Sequence, residues 1–299
     1  MTTPKLIYTF GLLWFFLLFL TGCGDEDTSF YEPSISFTPQ AKEVSSRASF
    51  INNTHDLDHF IVWGNYDGEK VFTAQRVNKI NDSWEYSPGK SWVLSANEYH
   101  FSAYLPADAG TPRITNNQLY SIDFNCATQQ TDLMMAYTTV PKADFGKTVE
   151  MSFKHALAAI NFSFKLKEGF TYSHTYKVTG IKWNNVYTQG TFALNSNNTI
   201  TSSVTGQLGE TQTLPFTGTH FTVTTPMDSD FLFVIPQTLA SASLTFILEI
   251  DGVRKEIVKS VSSIQWESGK RYTYTISIDP FEITVQTTPW EIHKGEIII

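Results

Sequence analysis

The sequence predicts an all-β fold spread over two sandwich domains. Three observations carry the prediction. Apolar and β-branched runs of three to eight residues recur along the chain and stop at Pro, Gly, Asn or Asp, the pattern of short strands joined by tight turns. Helical periodicity competes only at Ala156 to Ile160, and five residues make a weak helix. The third observation is size: about 275 residues beyond an N-terminal leader exceed a typical domain of ~100–200 residues. A hydrophobic content of 41% with 23 Phe, 13 Tyr and 7 Trp is enough for two cores.

The leader is Lys5 followed by an apolar run from Leu6 to Leu20, then Thr21-Gly22-Cys23. A run of about 15 residues is shorter than the ~20 of a permanent bilayer-crossing helix, and small residues at its end suit a cleaved signal peptide. The pattern predicts a bacterial lipoprotein in which residues 1–22 are removed and the Cys23 thiol takes the lipid, palmitate included. An uncleaved N-terminal anchor is the competing reading. Asp25-Glu26-Asp27 comes next. This cluster resembles the export signal that sends Bacteroidetes lipoproteins to the outer face of the outer membrane, and it equally suits a solvated spacer.

Residues 28–50 begin as a Ser, Thr and Pro-rich tether. Within it Ile35 and Phe37 alternate with Ser34, Ser36 and Thr38, predicting a short strand bounded by Pro33 and Pro39. The polar segment Ala41 to Ser49 holds a single arginine, Arg47. A basic residue in a small polar loop is a ready protease site, though an ordinary surface arginine reads the same way.

Phe60 to Trp63 and Val71 to Ala74 flank Tyr66-Asp67-Gly68-Glu69, where Asp-Gly supplies the positive φ of a tight hairpin. Trp84 to Tyr86 and Trp92 to Leu94 flank Ser87-Pro88-Gly89-Lys90, predicting a second hairpin. Tyr99 to Tyr104 alternates less cleanly and stops at Pro106. Tyr120 to Cys126 alternates with its even positions apolar, placing the Cys126 thiol on a buried strand face. Beyond a boundary expected near Phe145-Gly146-Lys147, the strands expected are Met151 to Phe153, His155 to Phe164, Lys177 to Trp183, Phe231 to Ile235 and Leu244 to Ile250, the last turning at Asp251-Gly252.

Composition narrows the functional classes. Removing residues 1–22 takes away Lys5 and no acid, leaving 20 basic against 29 acidic side chains and a net charge of −9. An acidic chain without a basic run is a poor nucleic-acid partner. With Cys23 acylated, Cys126 has no partner for an intramolecular disulfide, and stability rests on packing. The sequence holds no Gly-x-Ser-x-Gly, Walker-type or His-Glu-x-x-His motif, and neither a cofactor nor catalysis is expected. His55-Asp56-Leu57-Asp58-His59 has a metal-like spacing if helical. It runs into the β-rich Phe60 segment, where the two rings stand ~13 Å apart, so no metal site is expected.

Six segments occur in order along the mature chain: Trp84-Glu85-Tyr86-Ser87-Pro88-Gly89-Lys90-Ser91-Trp92, Phe101 to Pro106, Asp132-Leu133-Met134-Met135-Ala136, Phe153-Lys154-His155-Ala156-Leu157-Ala158-Ala159-Ile160, Ile235-Pro236-Gln237 and Trp266 to Ile276. With the lipobox, they resemble the fimbrillin family of Bacteroidales, the Mfa-like lipoprotein subunits of type V pili. The resemblance implies two transthyretin-like β-sandwich domains and no catalysis. It further implies assembly by strand exchange, in which an Arg-specific protease removes an N-terminal strand and another subunit's strand fills the groove. On this reading 1–22 is the signal peptide, 23–47 the lipidated tether and removable strand, 48–146 the N-terminal sandwich and 147–299 the C-terminal sandwich. Arg47 takes the cleavage position, and Ile35 and Phe37 are the plug. Partners would be other fimbrial subunits, self or accessory, at a surface-exposed fimbrium anchored in the outer membrane.

A surface glycan-binding lipoprotein is the alternative. Its platforms would be Trp63, Trp84, Trp92, Trp183, Trp266 and Trp290, most of which sit in strand patterns that favour core packing. The tail Asp279 to Ile299 is also apolar, with Ile283 and Val285 alternating with Thr284 and Gln286. It reads either as the last edge of its own sheet or as a donor strand for a neighbour.

Overall fold

The computed structural model of the chain describes residues 32–41, 56–167, 176–210, 227–261, 263–278 and 283–290. Among these the strands, in chain order, are β1 (Phe37–Ala41), β2 (His59–Tyr66), β3 (Glu69–Ile80), β4 (Ser83–Glu85), β5 (Glu98–Leu105), β6 (Thr111–Thr115) and β7 (Gln118–Asn125). They continue with β8 (Met134–Pro141), β9 (Val149–His155), β10 (Ala158–Leu166), β11 (Tyr176–Leu194), β12 (Ile200–Glu210), β13 (Met227–Asp228) and β14 (Leu232–Val234). The last are β15 (Thr238–Leu239), β16 (Ala242–Ile250), β17 (Val253–Val261), β18 (Ile264–Gln265), β19 (Arg271–Ile278) and β20 (Ile283–Trp290). No α-helix occurs among the described residues, and Ala158 to Ile160 belong to β10.

Turn chemistry sets the hairpins. Asp67 (φ 45°) and Gly68 (φ 88°) join β2 to β3, and Asp251 (φ 48°) and Gly252 (φ 81°) join β16 to β17. Two positive φ values in succession match the right-handed twist of the flanking strands. Asn81-Asp82 and Asn116-Asn117 make the same turn at the β3–β4 and β6–β7 connections, using side chains that tolerate the left-handed region. The hairpin expected across Ser87 to Lys90 does not form. Trp92 to Leu94 is not a strand, and Ser91 instead bridges to Ser34.

Pairing gives a seven-stranded sheet in the order β1-β9-β8-β5-β2-β3-β4 and a six-stranded sheet, β17-β16-β11-β7-β6, with β12 also on β11. A five-stranded sheet runs β13-β10-β19-β20 with β14 also on β10, and β15 pairs β18. Around Phe145-Gly146-Lys147 the ladders interleave: β9, after that point, pairs into the first sheet, whereas β7, before it, pairs with β11.

Three cores follow from the side-chain alternation. Phe162, Tyr274, Trp183 and Phe246 lie between the five- and six-stranded sheets. The seven-stranded sheet is buried on both faces: Phe60, Val62, Phe101 and Met134 point to one core, and Trp63, Tyr104 and Met135 to another shared with Phe124, Phe192 and Phe233. A doubly buried sheet reads as a continuous apolar run rather than an alternating one, which explains Phe60 to Trp63 and the imperfect pattern of Tyr99 to Tyr104. Cys126 is buried, and desolvation pushes its thiol far above the ordinary range. The alternation expected from Tyr120 breaks at its start: Tyr120 is 58% exposed and Ser121 is buried, because a bulge in the β6–β7 ladder skips Tyr120 between the pairs Arg113↔Ser121 and Ile114↔Leu119.

Candidate functional site: the N-terminal strand and its groove

Residues 33–41 lie in an apolar groove at the edge of the seven-stranded sheet. On one side β1 runs parallel to β9, with Phe37 opposite Val149 and Ala41 opposite Phe153. On the other side the preceding residues are held by the segment after β4: the Ile35 N–H donates to the Lys90 carbonyl at 2.8 Å, and the Trp92 N–H donates to the Pro33 carbonyl at 3.0 Å. The segment expected to form its own hairpin is thus a wall of the groove. Ser36 also donates its hydroxyl to Thr148 at 3.1 Å.

Alternation decides what enters. Ile35, Phe37, Pro39 and Ala41 are buried while Ser34, Thr38 and Gln40 are exposed. The Phe37 ring is surrounded by aromatic neighbours: Phe60, Phe72, Tyr86 and Phe101 lie at centroid distances of 5.9, 5.4, 5.9 and 5.5 Å, all edge-to-face. This is the favoured geometry for ring quadrupoles. Burying Ile35 and Phe37 stabilises the seated strand by roughly 1.5–3 kcal/mol each. Behind the pocket Trp92 stacks on Phe145 at 4.8 Å.

The expected strand is therefore present with Ile35 and Phe37 on its buried face, but its boundary differs. Pro39 does not end it. The Val149 N–H donates to the Ser36 carbonyl at 2.8 Å, so even-numbered residues of β1 bond to β9 and odd-numbered N–H groups face away. The N–H that Pro39 lacks is one that β9 never uses. Proline is tolerated on the outward side of an edge strand, and the buried face extends to Pro39 and Ala41.

The Tyr86 hydroxyl donates to the Ile35 carbonyl at 2.7 Å. Burial pushes this phenol above its ordinary 10.0, and a backbone contact from Lys90 offsets part of the rise. Tyr86, Lys90 and Trp92 carried no groove signal in the sequence. Their proximity to Pro33 and Ile35 is a long-range pairing that no local pattern encodes.

Other candidates fall elsewhere. Cys23 and Arg47, expected as lipidation and processing sites, lie outside the described residues, as does His55. The His59 ring lies 2.6 Å from Asp58 and accepts the Ala107 N–H at 3.0 Å. Of the glycan-platform tryptophans, Trp63, Trp92, Trp183 and Trp266 are buried in cores and Trp84 packs partly buried against Phe60. The described part of the tail, β20, pairs antiparallel with β19 from Ile278↔Ile283 to Arg271↔Trp290.

One cluster had no sequence-level signal. Asp132, before β8, accepts from His155 Nδ1 at 2.9 Å, and both side chains are buried. Arg271, at the start of β19, is buried with its guanidinium 5.3 Å from the centre of the Phe231 ring. Burial lowers the Arg271 pKa to about 10, and the Asp132 charge pulls it back up. Three of the six ordered segments thus meet in one buried polar cluster.

Residues 46–291 match a protein family described as fimbrillin-like. Among solved structures, a fimbrial protein from Bacteroides vulgatus ATCC 8482 superposes with a TM-score of 0.61 at 15% identity, covering 86% of this chain and 98% of that one. A proposed cell adhesion protein from Bacteroides uniformis ATCC 8492 gives 0.58 at 17% identity over 86% and 97%. Another, from Bacteroides ovatus ATCC 8483, gives 0.58 at 16% over 88% and 99%. At such identities the likeness is one of fold. No curated protein matches the sequence.

Proposed function

The chain belongs to the fimbrillin-like family, and from that premise we propose that this fimbrial subunit is exported as a Cys23-anchored lipoprotein and assembled by protease-triggered strand exchange. The observation that carries the reading is the seating of Ile35 and Phe37 in a groove whose far wall is β9. While residues 23–47, the leader of the mature chain, are covalently attached, their effective concentration at the groove is on the order of millimolar and the groove stays filled. A cut after Arg47 makes residues 23–47 a separate peptide. Once it diffuses away, the ring pocket and the backbone groups of β9 are open, and both attract an incoming strand. Lipid at Cys23 would hold the subunit at the outer membrane through export, and the acidic Asp25-Glu26-Asp27 would direct it to the surface. Partners are other fimbrial subunits and an Arg-specific protease. The role is structural rather than catalytic.

The test is digestion of the full-length mature chain with an Arg-specific protease. Wild type should be cut after Arg47 and release the leader when a partner strand is supplied. Arg47→Ala should keep its leader and accept none. Assembly of Arg47→Ala at the wild-type rate would remove the trigger. In cells, Cys23→Ala should lose palmitate labelling and membrane fractionation; retention of both would remove the anchor.

A further inference from the structure

The groove does more than accept an extended strand, because the inward side chains seated in it change in size along its length. Four inward positions of the leader fill it: a branched aliphatic at Ile35, an aromatic at Phe37, a compact ring at Pro39 and a methyl at Ala41. The Phe37 slot is enclosed by Phe60, Phe72, Tyr86 and Phe101, and a smaller residue there leaves a void whose lining loses its contacts. Ala41, opposite Phe153 of β9, fills its slot with a single methyl, and the residue is 8% exposed. A longer side chain there exceeds the volume that the seated strand packs at this position. The strand also runs parallel to β9, so direction is fixed along with size.

We propose that the groove selects a partner strand reading aliphatic, aromatic, compact, small at every second residue, and that the occupant is a strand of a non-identical protein rather than the tail of a second copy. The inference rests on the strand-exchange reading above and deepens it. Its ground is the tail sequence. Residues 279–299 contain two large aromatic side chains for the Phe37 slot, Phe281 and Trp290. Seating Phe281 places Asp279 in the Ile35 slot, and seating Trp290 places Lys294 in the Ala41 slot. Each of these two registers carries a charge into an apolar pocket, which is strongly disfavoured, and a charge-free register such as Phe281, Ile283, Val285, Thr287 leaves only an aliphatic side chain in the ring pocket. The leader carries none: its charge-free inward face is what the groove was built around.

The experiment uses the mature full-length chain cut after Arg47 and freed of its leader, with fluorescent peptides as probes. A peptide of residues 33–42 should bind. Its Phe37→Ala and Ala41→Leu versions should bind at least tenfold more weakly, and a peptide of residues 279–299 should not displace it at a hundredfold excess. Displacement by the tail peptide, or equal binding of Ala41→Leu, overturns the selection while leaving strand exchange intact. Failure of the 33–42 peptide to bind a cut chain that keeps its circular dichroism removes the strand-exchange reading, and this inference with it. Should the cut chain precipitate, the comparison is made within the uncut chain by replacing residues 35–41 with residues 279–285 or 288–294. Both chimaeras should melt well below wild type, and a Tm equal to wild type for either one overturns the proposal.

Discussion

The Tyr86 hydroxyl donates a 2.7 Å hydrogen bond to the carbonyl of Ile35, 51 residues earlier in the chain. It is a side-chain clasp on a strand otherwise held by backbone ladders and by the fit of its inward residues. A buried carbonyl of this kind contributes about 1 kcal/mol net when bonded and more when left unsatisfied.

Tyr86→Phe keeps the ring beside Phe37 and Phe72 and removes only the donor. It should lower unfolding free energy by about 1 kcal/mol in denaturant titration, and speed leader loss after cleavage. Alkaline pH should mimic it. Because burial holds the phenol above 10.0 in the folded chain, the stability it contributes is complete below pH 10 and is lost as pH rises through the folded value. Tyr104 and Tyr272 are raised by burial as well, so the fall steepens in wild type, and Tyr86→Phe should show a shallower one.

Pro39 should guard the outer edge of the uncut chain. Its missing N–H points away from β9, where an added strand would need a donor. Pro39→Val supplies that donor on a β-favouring residue while keeping an inward apolar group. The uncut variant should shift from monomer towards dimers and larger species in light scattering at micromolar concentration. An unchanged monomer would show that the edge is protected by something other than Pro39.

Much of this groove was legible in sequence, and the limits have physical causes. Alternation named Ile35 and Phe37 because a half-buried strand has period two whatever it pairs with. Asp67-Gly68 and Asp251-Gly252 named two hairpins because their φ values are local properties of the residues. Pro39 misled because its meaning depends on which side of a strand is bonded, and parallel pairing with a strand more than a hundred residues away sets that side. Ser87 to Lys90 misled for a related reason: turn residues mark a change of direction, but the pairing partner of the next residue, Ser34 for Ser91, lies outside any local window. Asp132, His155 and Arg271 stand in separate segments with no local pattern that links them. Only the approach of β8, β9 and β19 makes them one site.

The tail makes a separate prediction. Eight residue pairs join β20 to β19, and β19 carries the buried Tyr272, Tyr274, Ile276 and Ile278. Removing residues 281–299 turns a central strand into an edge with unpaired backbone groups. If the tail completes its own sheet, the truncated chain should aggregate or unfold at a lower temperature than wild type. A stable truncated monomer that no longer assembles after cleavage at Arg47 would instead make the tail a donor. A truncated chain both stable and fully assembling would rule out both roles.

The buried polar cluster should be the costliest single site outside the hydrophobic cores. Asp132 is the acid that accepts from His155 and faces the charge of Arg271, and it links the end of β9 to the start of β19. Asp132→Asn keeps the shape and removes the countercharge. A buried cation left without its counterion typically costs about 3–5 kcal/mol, and that is the loss expected in denaturant unfolding. Adding Arg271→Met should recover part of it, since the apolar stem can still pack on Phe231 while the stranded charge is gone. A double variant less stable than Asp132→Asn alone would mean that Arg271 contributes through its own contacts rather than through Asp132. Because β9 is also the wall on which the leader strand is seated, Asp132→Asn should release the leader faster after cleavage than an equally destabilising change in the distant core, such as Phe246→Ala. Equal release rates would confine the cluster to global stability and separate it from the groove.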